Sequence, residues 1–255
     1  MADLSGRSYI VTGASTGIGA ATARLLAGCG ANVTISFARN ESAAAETAAA
    51  CEAAGAETLL QQGDVADDAV CRRIAEQTMA RWGRIDGLVN NAGMTKFVDH
   101  DNLDGLSAED FQRIFAVNLI GAFQMARAVA APMKAAGQGA IVNVSSVAGV
   151  YGVGSSIAYV ASKGALNSIT LSLARALGPE IRVNAVCPGL VETGFWGDQV
   201  DAERKQAIAE HYQAKAPLKR FSQPEDQARS ILFFLDGDHN ITGQILVSDS
   251  GMHLT

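Results

Sequence analysis

Basic residues are in the minority in this chain of 255 residues, which carries 20 Lys and Arg against 26 Asp and Glu, a net charge of −6. Nucleic acids and anionic membranes bind to basic surfaces, so the charge argues against both as partners. The N-terminus lacks the charged-then-apolar pattern of a signal peptide, and no apolar run stands out as long enough to span a bilayer. We expect no nucleic-acid or membrane partner.

Cysteine and histidine are scarce as well. None of them shows the close spacing of a zinc site or of a disulfide framework. Free thiols in a reducing compartment are the simpler interpretation, so we expect a cytoplasmic protein that works without a metal. The residues concerned are Cys29, Cys51, Cys71 and Cys187, with His100, His211, His239 and His253.

Short apolar runs alternate with helical patterns along the whole chain. Strands are predicted at about 7–12, 32–37, 57–60, 85–89, 140–144, 181–186 and 244–248. This alternation is typical of a doubly wound parallel sheet with helices on both faces, and no change of composition marks a second domain. We therefore expect one Rossmann-like α/β domain over residues 1–255, with about seven strands and a flap at about 189–220.

A glycine-rich turn lies between the first strand and the first helix. Gly13, Gly17 and Gly19 would let backbone N–H groups approach a pyrophosphate, and the helix N-terminus would add partial positive charge. A turn of this kind can also serve only to reverse the chain. Its position at the first strand-to-helix connection favours a dinucleotide site.

Two residues further along bear on the nucleotide. Arg39 follows the second strand, where a carboxylate suits the ribose of NAD and an arginine suits the 2′-phosphate of NADP. Arg39 therefore favours NADP(H), and NAD(H) remains possible if Arg39 is only a surface charge. Asp64 is placed either to accept a hydrogen bond from an adenine amino group or to serve as a cap or turn residue.

The catalytic hypothesis depends on Ser146, Tyr159 and Lys163. A tyrosine and a lysine four residues apart share one face of a helix. A nearby ammonium favours the phenolate, so we expect Lys163 to bring the pKa of Tyr159 from about 10 toward 7. Ser146, at the end of the fifth strand, would hold a substrate oxygen against the same phenol.

A set of motifs in one order identifies a family resemblance. They are Thr12-Gly13-x-x-x-Gly17-x-Gly19, Asn90-Asn91-Ala92-Gly93, Asn118, Ser146, Tyr159-x-x-x-Lys163 and Pro188-Gly189. The chain resembles the single-domain branch of the short-chain dehydrogenase/reductase family and is similar to its 3-oxoacyl-carrier-protein reductases. The resemblance implies hydride transfer between a nicotinamide cofactor and a carbonyl or secondary alcohol.

The resemblance also implies roles for individual residues. Tyr159 would be the general acid/base, Lys163 would also hold the nicotinamide ribose, Ser146 would orient the substrate oxygen, and Asn118 would anchor a water that relays protons to Lys163. The residues implied to contact the cofactor are Gly13, Ser15, Thr16, Gly17, Ile18, Gly19, Arg39, Asp64, Val65, Asn91, Ala92, Gly93, Tyr159, Lys163, Pro188, Gly189, Val191 and Thr193.

Two departures from the family pattern matter. Thr16 stands where NADP-preferring members often carry Arg or Lys, so the NADP prediction depends mainly on Arg39. An acidic carrier protein would need basic docking residues, and the segments at 134–139 and 178–181 supply only one Lys and one Glu. That composition weakens the interpretation as a carrier-protein reductase.

The substrate and the assembly are predicted more coarsely. An apolar pocket favours a modestly hydrophobic ketone or secondary alcohol. Small residues on the outer face of the tyrosine helix, together with the resemblance, favour a homodimer or homotetramer. Alternatives are an NAD(H)-linked alcohol dehydrogenase, a non-catalytic nucleotide-sensing module, and an epimerase, which usually has a larger substrate domain. The expected pocket residues are Met94, Val147, Tyr151, Leu190, Phe195 and Trp196.

Overall fold

A parallel sheet of seven strands forms the centre of the protein. The computed structural model describes residues 2–193, 201–236 and 240–255, and within them the strand order is β3-β2-β1-β4-β5-β6-β7. The order reverses between β1 and β4, which opens a crevice at the carboxyl ends of the strands. The strands are β1 (Ser8–Val11), β2 (Asn32–Phe37), β3 (Thr58–Gln62), β4 (Gly87–Asn90), β5 (Gly139–Val144), β6 (Ile181–Pro188) and β7 (Ile245–Ser248).

Helices cover both faces of this sheet, which confirms the doubly wound fold. One face carries α1 (Gly17–Gly28), α2 (Glu41–Ala53) and α9 (Pro224–Asp236). The other carries α3 (Asp68–Trp82), α5 (Ala122–Ala135) and α7 (Ile157–Leu177). The remaining helices are α4 (Ala108–Phe115), α6 (Ala148–Tyr151) and α8 (Ala202–Lys215), of which α8 is the helical part of the predicted flap.

The burial of the strands explains why their sequences are apolar throughout and do not alternate between apolar and polar residues. Every residue of β1 and β6 is buried, because helices cover both sides of the sheet. Apolar positions of β4 and β5 face opposite layers, so that Val89 and Val142 belong to one cluster and Leu88 and Ile141 to the other. The sheet thus holds the loops at its carboxyl edge on a rigid support.

The sequence predicts one long helix over about 107–136 with a cap at 107–110, but this helix is not continuous in the structure. The predicted cap is confirmed, since Ser107 and Asp110 form a reciprocal capping box at the start of α4. Between α4 and α5 the backbone forms a π-helical stretch, Ala116–Gly121, which contains Asn118. Single π turns of this kind are frequent at functional sites. Apolar periodicity does not distinguish such a turn from α-helix, so the sequence did not predict it.

The same region is apolar enough to be compared with a membrane span. Taken together, Ala108–Ala135 is long enough and has a mean hydropathy of 1.5 in its most apolar window. The expectation that no such run occurs was therefore too strict. Half of that window is buried inside the fold, as in the core helix of a globular domain, so one such helix is weak evidence for a membrane.

The loop predicted after Ser146 contains the helical turn α6. A glycine allows α6 to pack against α7, because a Cβ at Gly149 would lie 2.4 Å from the carbonyl carbon of Lys163. The contact fixes Tyr151, the last residue of α6, with respect to the helix that carries Tyr159 and Lys163.

Candidate active site

The predicted site residues lie where the strands end at the carboxyl edge of the sheet. The glycine turn follows β1, Asn91 follows β4 and Ser146 follows β5. Pro188 is the last residue of β6, and Gly189 comes directly after it. Parallel strands bring all these loops to one side of the sheet, although they are far apart in sequence.

The glycine turn has the geometry of an anion site. Gly13 and Gly17 have positive φ angles of +62° and +57°, which favour glycine. A Cβ at Gly19 would lie 2.4 Å from the carbonyl oxygen of Gly13. Thr16, the N-cap of α1, makes no side-chain capping bond to the described residues, and the first turn of α1 has no acidic residue. The amides and partial positive charge at this helix end therefore fit a pyrophosphate.

Hydrogen bonds join the glycine turn to the loop after β4. The Thr12 hydroxyl accepts from the backbone N–H of Asn91 and of Ala92, at 3.0 Å each. The side-chain amide of Asn91 donates to the carbonyls of Thr12 and Gly13, at 2.9 Å each. The sequence motif included Thr12 but assigned it no role. The structure shows that it positions two segments of the predicted cofactor site.

Asp64 and Arg39 lie close to one another at the predicted adenosine end. Asp64 accepts a hydrogen bond from the N–H of Ala66 and pairs with Arg113 of α4 at 2.6 Å. Burial raises the pKa of Asp64, but these two contacts outweigh it, with a smaller contribution from Arg39, so its pKa is lowered. Of the two alternatives for Asp64, the turn residue is borne out by its bond to the N–H two residues on, whereas Asp67 and not Asp64 caps α3. The contact with Arg113 was not predicted.

Arg39, unlike Arg113, is near Asp64 without being bonded to it. Its side chain is exposed, and it forms no hydrogen bond or ion pair with the residues that the structure describes. Thr16 is likewise exposed at the start of α1. Val65, between Asp64 and α3, is buried and packs against Gly121 of the π-helical stretch.

Ser146 and Tyr159 come together as predicted. Tyr159 lies in the first turn of α7, whose N-cap Ser156 accepts a hydrogen bond from its backbone N–H at 3.3 Å. The side chains of Tyr159 and Ser146 are hydrogen bonded. The Ser146 hydroxyl also accepts from the N–H of Ala148 at 3.1 Å. The phenol and the hydroxyl can therefore hold the same substrate oxygen.

Lys163 is a buried lysine next to this pair, with 4% of its surface exposed. Its Nζ donates a hydrogen bond to the carbonyl of Val144 at 2.8 Å and lies over the Tyr159 ring, 5.7 Å from the centroid. The hydroxyl of Ser145 donates to the Lys163 carbonyl at 3.1 Å. Burial lowers the pKa of Lys163 from its usual value of 10.5 to about 8.

The pKa of Tyr159 differs from the sequence expectation. Burial raises it to about 12, and the hydrogen bond with Ser146 opposes that rise only in part. The prediction that Lys163 lowers this pKa toward 7 is wrong for this structure. Burial disfavours the ammonium form of Lys163. Its Nζ is hydrogen bonded to the Val144 carbonyl and lies over the face of the Tyr159 ring. The phenol of Tyr159 therefore keeps its proton at neutral pH in this structure.

Asn118 is buried and its side chain bridges two segments. Its Oδ1 accepts from the N–H of Met94 at 2.8 Å, and its Nδ2 donates to the Met94 carbonyl and to the Ser162 hydroxyl, both at 3.0 Å. Gly93 lies beside both Asn118 and Lys163. A Cβ added at Gly93 would be 3.5 Å from Asn118 Oδ1 and 3.7 Å from Lys163 Nζ. The role of Asn118 in holding a water remains a prediction.

The segment after β6 is tied to three other parts of the fold. The N–H of Gly189 donates to the Ser248 carbonyl at 3.1 Å. Val191 pairs with Ser222 in an isolated parallel bridge. Thr193 lies next to Gly17, because a Cβ added at Gly17 would be 3.2 Å from Cγ2 of Thr193. Thr193 thus lies beside the glycine turn, whereas the contacts of Val191 and Thr193 with the cofactor remain predictions.

A cavity of about 270 Å³ lies between the glycine turn and this segment. It contains Gly17 and Thr193, two residues predicted to contact the cofactor, and it lies at the start of α1 rather than beside Tyr159. Its lining residues are Gly17, Ala20, Ala21, Arg24, Glu192, Thr193, Pro224 and Glu225.

The structure describes four of the six predicted substrate residues. Met94 follows β4, Val147 and Tyr151 follow β5, and Leu190 follows β6, all at the carboxyl edge. The other two, Phe195 and Trp196, lie outside the described residues.

Comparison with known proteins decides the family. A protein-family model described as enoyl-(acyl carrier protein) reductase matches residues 13–253. The crystal structure of a protein from Burkholderia xenovorans assigned to the short-chain dehydrogenases/reductases has a TM-score of 0.91 and 40% identity, and the match covers 98% of each chain. The chain belongs to the short-chain dehydrogenase/reductase family. It is an NAD(P)-dependent oxidoreductase.

Two relatives of this short-chain dehydrogenase/reductase show how diverse its neighbours are. One is assigned as ketoacyl reductase 2 of the granaticin polyketide synthase from Streptomyces violaceoruber, 40% identical over 245 residues, or 96% of this chain and 95% of the relative. Another is an L-rhamnose 1-dehydrogenase (NAD(P)(+)) from Sphingomonas sp. strain SKA58, 37% identical over 254 residues and 98% of each chain.

The buried Lys163 makes a testable contribution to stability. Between pH 8 and 10.5 the Lys163 side chain is protonated in the unfolded chain but deprotonated in the folded protein. The contribution of Lys163 to the free energy of unfolding therefore rises with pH in this window. We expect the stability advantage of Lys163→Met over the wild type to shrink by about 2 kcal/mol between pH 7.5 and 10.

Urea denaturation of both proteins at the two pH values measures this difference. The buried thiols of Cys51 and Cys71, whose pKa values burial raises, act in the opposite direction but equally in both proteins, so they cancel. Cys187 interacts electrostatically with Lys163, so it is changed to Ser in both proteins. A stability difference that does not change with pH would show that Lys163 titrates normally.

Proposed function

We propose that this oxidoreductase transfers hydride between NADP(H) and a carbonyl or secondary alcohol, with Tyr159 as the general acid/base. The observation that carries the proposal is the hydrogen bond between Tyr159 and Ser146 beside the buried Lys163, at the edge where the glycine turn also lies. A phenol, an orienting hydroxyl and an ammonium are the groups that proton transfer to a carbonyl oxygen requires.

The bound nicotinamide cofactor would supply or accept the hydride. In the reducing direction, Ser146 orients the carbonyl oxygen and Tyr159 gives it a proton. The raised pKa of Tyr159 keeps that proton in place until the oxygen becomes basic. The Lys163 ammonium, 5.7 Å from the ring centroid, then stabilises the phenolate that forms. In the oxidising direction, the same phenolate takes the proton from the alcohol.

The residues of the cofactor site suit a phosphate at both ends. The start of α1 offers N–H groups to the pyrophosphate, and Arg39 offers an exposed guanidinium that forms no hydrogen bond or ion pair with the described residues. A guanidinium can bind a 2′-phosphate through two parallel hydrogen bonds. These features support NADP(H), whereas the relative that oxidises L-rhamnose is named for both NAD and NADP.

The contribution of Arg39 can be tested by binding. We expect Arg39→Ala to weaken NADPH binding about 10- to 100-fold and to leave NADH binding unchanged, because a charge-assisted hydrogen bond contributes about 1.5–3 kcal/mol. Titration of nicotinamide fluorescence measures both affinities. Arg81→Ala is the control, since Arg81 is exposed but paired with Glu57. NADH binding as tight as NADPH in the wild type would refute the NADP preference.

The role of Tyr159 is tested by Tyr159→Phe. We expect kcat to fall by about 10²- to 10⁴-fold, the usual contribution of a general acid, while NADPH affinity stays close to the wild type. Tyr9→Phe, in the core of β1, is a matched control. Turnover retained in Tyr159→Phe would overturn the assignment, whereas multiple turnovers by the wild type would exclude the nucleotide-sensing alternative.

We also propose a homodimer or homotetramer formed through α5 and α7. Ile120, in the π-helical stretch, and Phe123, in α5, remain 47% and 43% exposed, which is unusual for large apolar side chains of a core helix. On α7, Ala161 and Ser168 are exposed, and such small residues let a second helix approach closely. The cytoplasmic location also remains a prediction.

Light scattering tests this assembly. We expect a dimer or tetramer at micromolar concentration and a shift toward smaller species in Phe123→Glu, because the charge would be buried at the contact. Leu103→Glu, at a position 69% exposed outside the two helices, is the control. A monomeric wild type would contradict the proposal.

A further inference from the structure

A turn at the end of β7 closes around a buried carboxylate. Only 4% of the Asp249 side chain is exposed, and its two oxygens accept from the N–H groups of Gly251 and His253, at 3.0 and 2.9 Å. Ser250 has a φ of +59°, in the left-handed region that favours glycine. A residue held in this region shows that the surrounding contacts over-determine the turn.

The same carboxylate fixes the ring of His253. The Nδ1 atom lies 2.9 and 3.1 Å from the two oxygens of Asp249. A carboxylate accepts hydrogen bonds, so Nδ1 carries a hydrogen, and in the neutral form of the ring Nε2 presents a lone pair. Nε2 makes no hydrogen bond to the part of the chain that the structure describes, and 27% of the side chain is exposed. In that form the ring is an oriented hydrogen-bond acceptor for which the described residues supply no donor.

Two elements of the predicted substrate site contact the pair formed by Asp249 and His253. The ring of Tyr151 stacks on His253, with centroids 5.4 Å apart and planes inclined by 10°. Asp249 contacts the segment after β6, where a Cβ added at Gly189 would lie 2.5 Å from Asp249 Cβ, and its carbonyl accepts from the hydroxyl of Tyr212 at 2.8 Å. The pair thus joins the segment after Ser146 to the segment after β6.

We infer that His253 binds a hydroxyl group of the substrate, at the end remote from the reacting carbonyl. The inference rests on the proposed function and specifies its substrate class as hydroxylated ketones and the corresponding diols. Pockets of this kind combine an apolar lining with a few oriented polar groups. Val147 and Leu190, which the sequence predicts for this pocket, are half-buried apolar residues, and Nε2 of His253 is the oriented polar group. The substrate hydroxyl donates its hydrogen to Nε2.

The experiment compares matched pairs of ketones that differ by one hydroxyl group. The pairs are cyclohexanone with 4-hydroxycyclohexanone and 2-butanone with 4-hydroxy-2-butanone, each reduced with NADPH. The readout is the ratio of kcat/KM for the hydroxylated ketone to kcat/KM for its parent. We expect a ratio well above one in the wild type and a fall of about 3- to 10-fold in His253→Phe, which retains a ring to stack on Tyr151 but has no acceptor.

Two further variants separate binding from structure. His253→Gln retains an acceptor oxygen, so we expect it to recover part of the ratio, with the change appearing in KM rather than in kcat. Leu254→Ala, at an adjacent position that is 73% exposed, is the control and should leave the ratio unchanged. Thermal unfolding of each variant checks that the turn still forms, and His253→Leu, which also lacks an acceptor, provides the test if His253→Phe does not fold.

The possible outcomes either support the inference or overturn it. A ratio near one in the wild type, or one that is equal in the wild type and His253→Phe, would show that His253 only closes the turn. A stronger preference for 4-oxocyclohexanecarboxylate than for 4-hydroxycyclohexanone would replace the hydroxyl with an anion and contradict the substrate class. A wild type that reduces none of the ketones would instead contradict the proposed function.

Discussion

The parallel pairing of seven strands is the constraint on which the rest of the molecule depends. Parallel strands all end at one edge of the sheet, so loops from the whole length of the chain meet there. Gly13, Asn91, Ser146 and Gly189 come together for this reason alone. The buried β-branched runs between the helix layers fix the strands, and the strands in turn fix the site.

The site combines two groups that burial affects in opposite ways. Burial disfavours the ammonium of Lys163 and lowers its pKa, whereas burial keeps the phenol of Tyr159 neutral and raises its pKa. A lysine that is 4% exposed and bound to a backbone carbonyl lowers the stability of the folded protein at neutral pH. In the reaction that we propose, a negative charge forming on Tyr159 would offset that cost, so Lys163 would suit the reacting state better than the resting protein.

Local patterns in the sequence were sufficient for the fold and for most of the site's location. The alternation of strands and helices, the glycine turn and the spacing of Tyr159 and Lys163 are short-range features, and the structure retains each of them. The family that the motifs suggested was confirmed by the comparisons.

The features that the sequence did not predict depend on contacts between distant residues. The ion pair of Asp64 with Arg113 joins residues 49 positions apart. The pKa of Tyr159 was mispredicted because spacing shows that Lys163 is near, but not that Lys163 is buried, that Tyr159 is half-buried or that Nζ faces Val144. The π-helical stretch and the stacking of His253 on Tyr151 likewise need tertiary structure.

A crystal structure of the protein with NADP⁺ tests the central claim most directly. The account predicts that the pyrophosphate lies at the start of α1, that the 2′-phosphate contacts Arg39, and that the nicotinamide lies beside Tyr159 and Lys163. A nicotinamide that lies away from Tyr159, or a nucleotide bound outside the carboxyl edge of the sheet, would contradict the account.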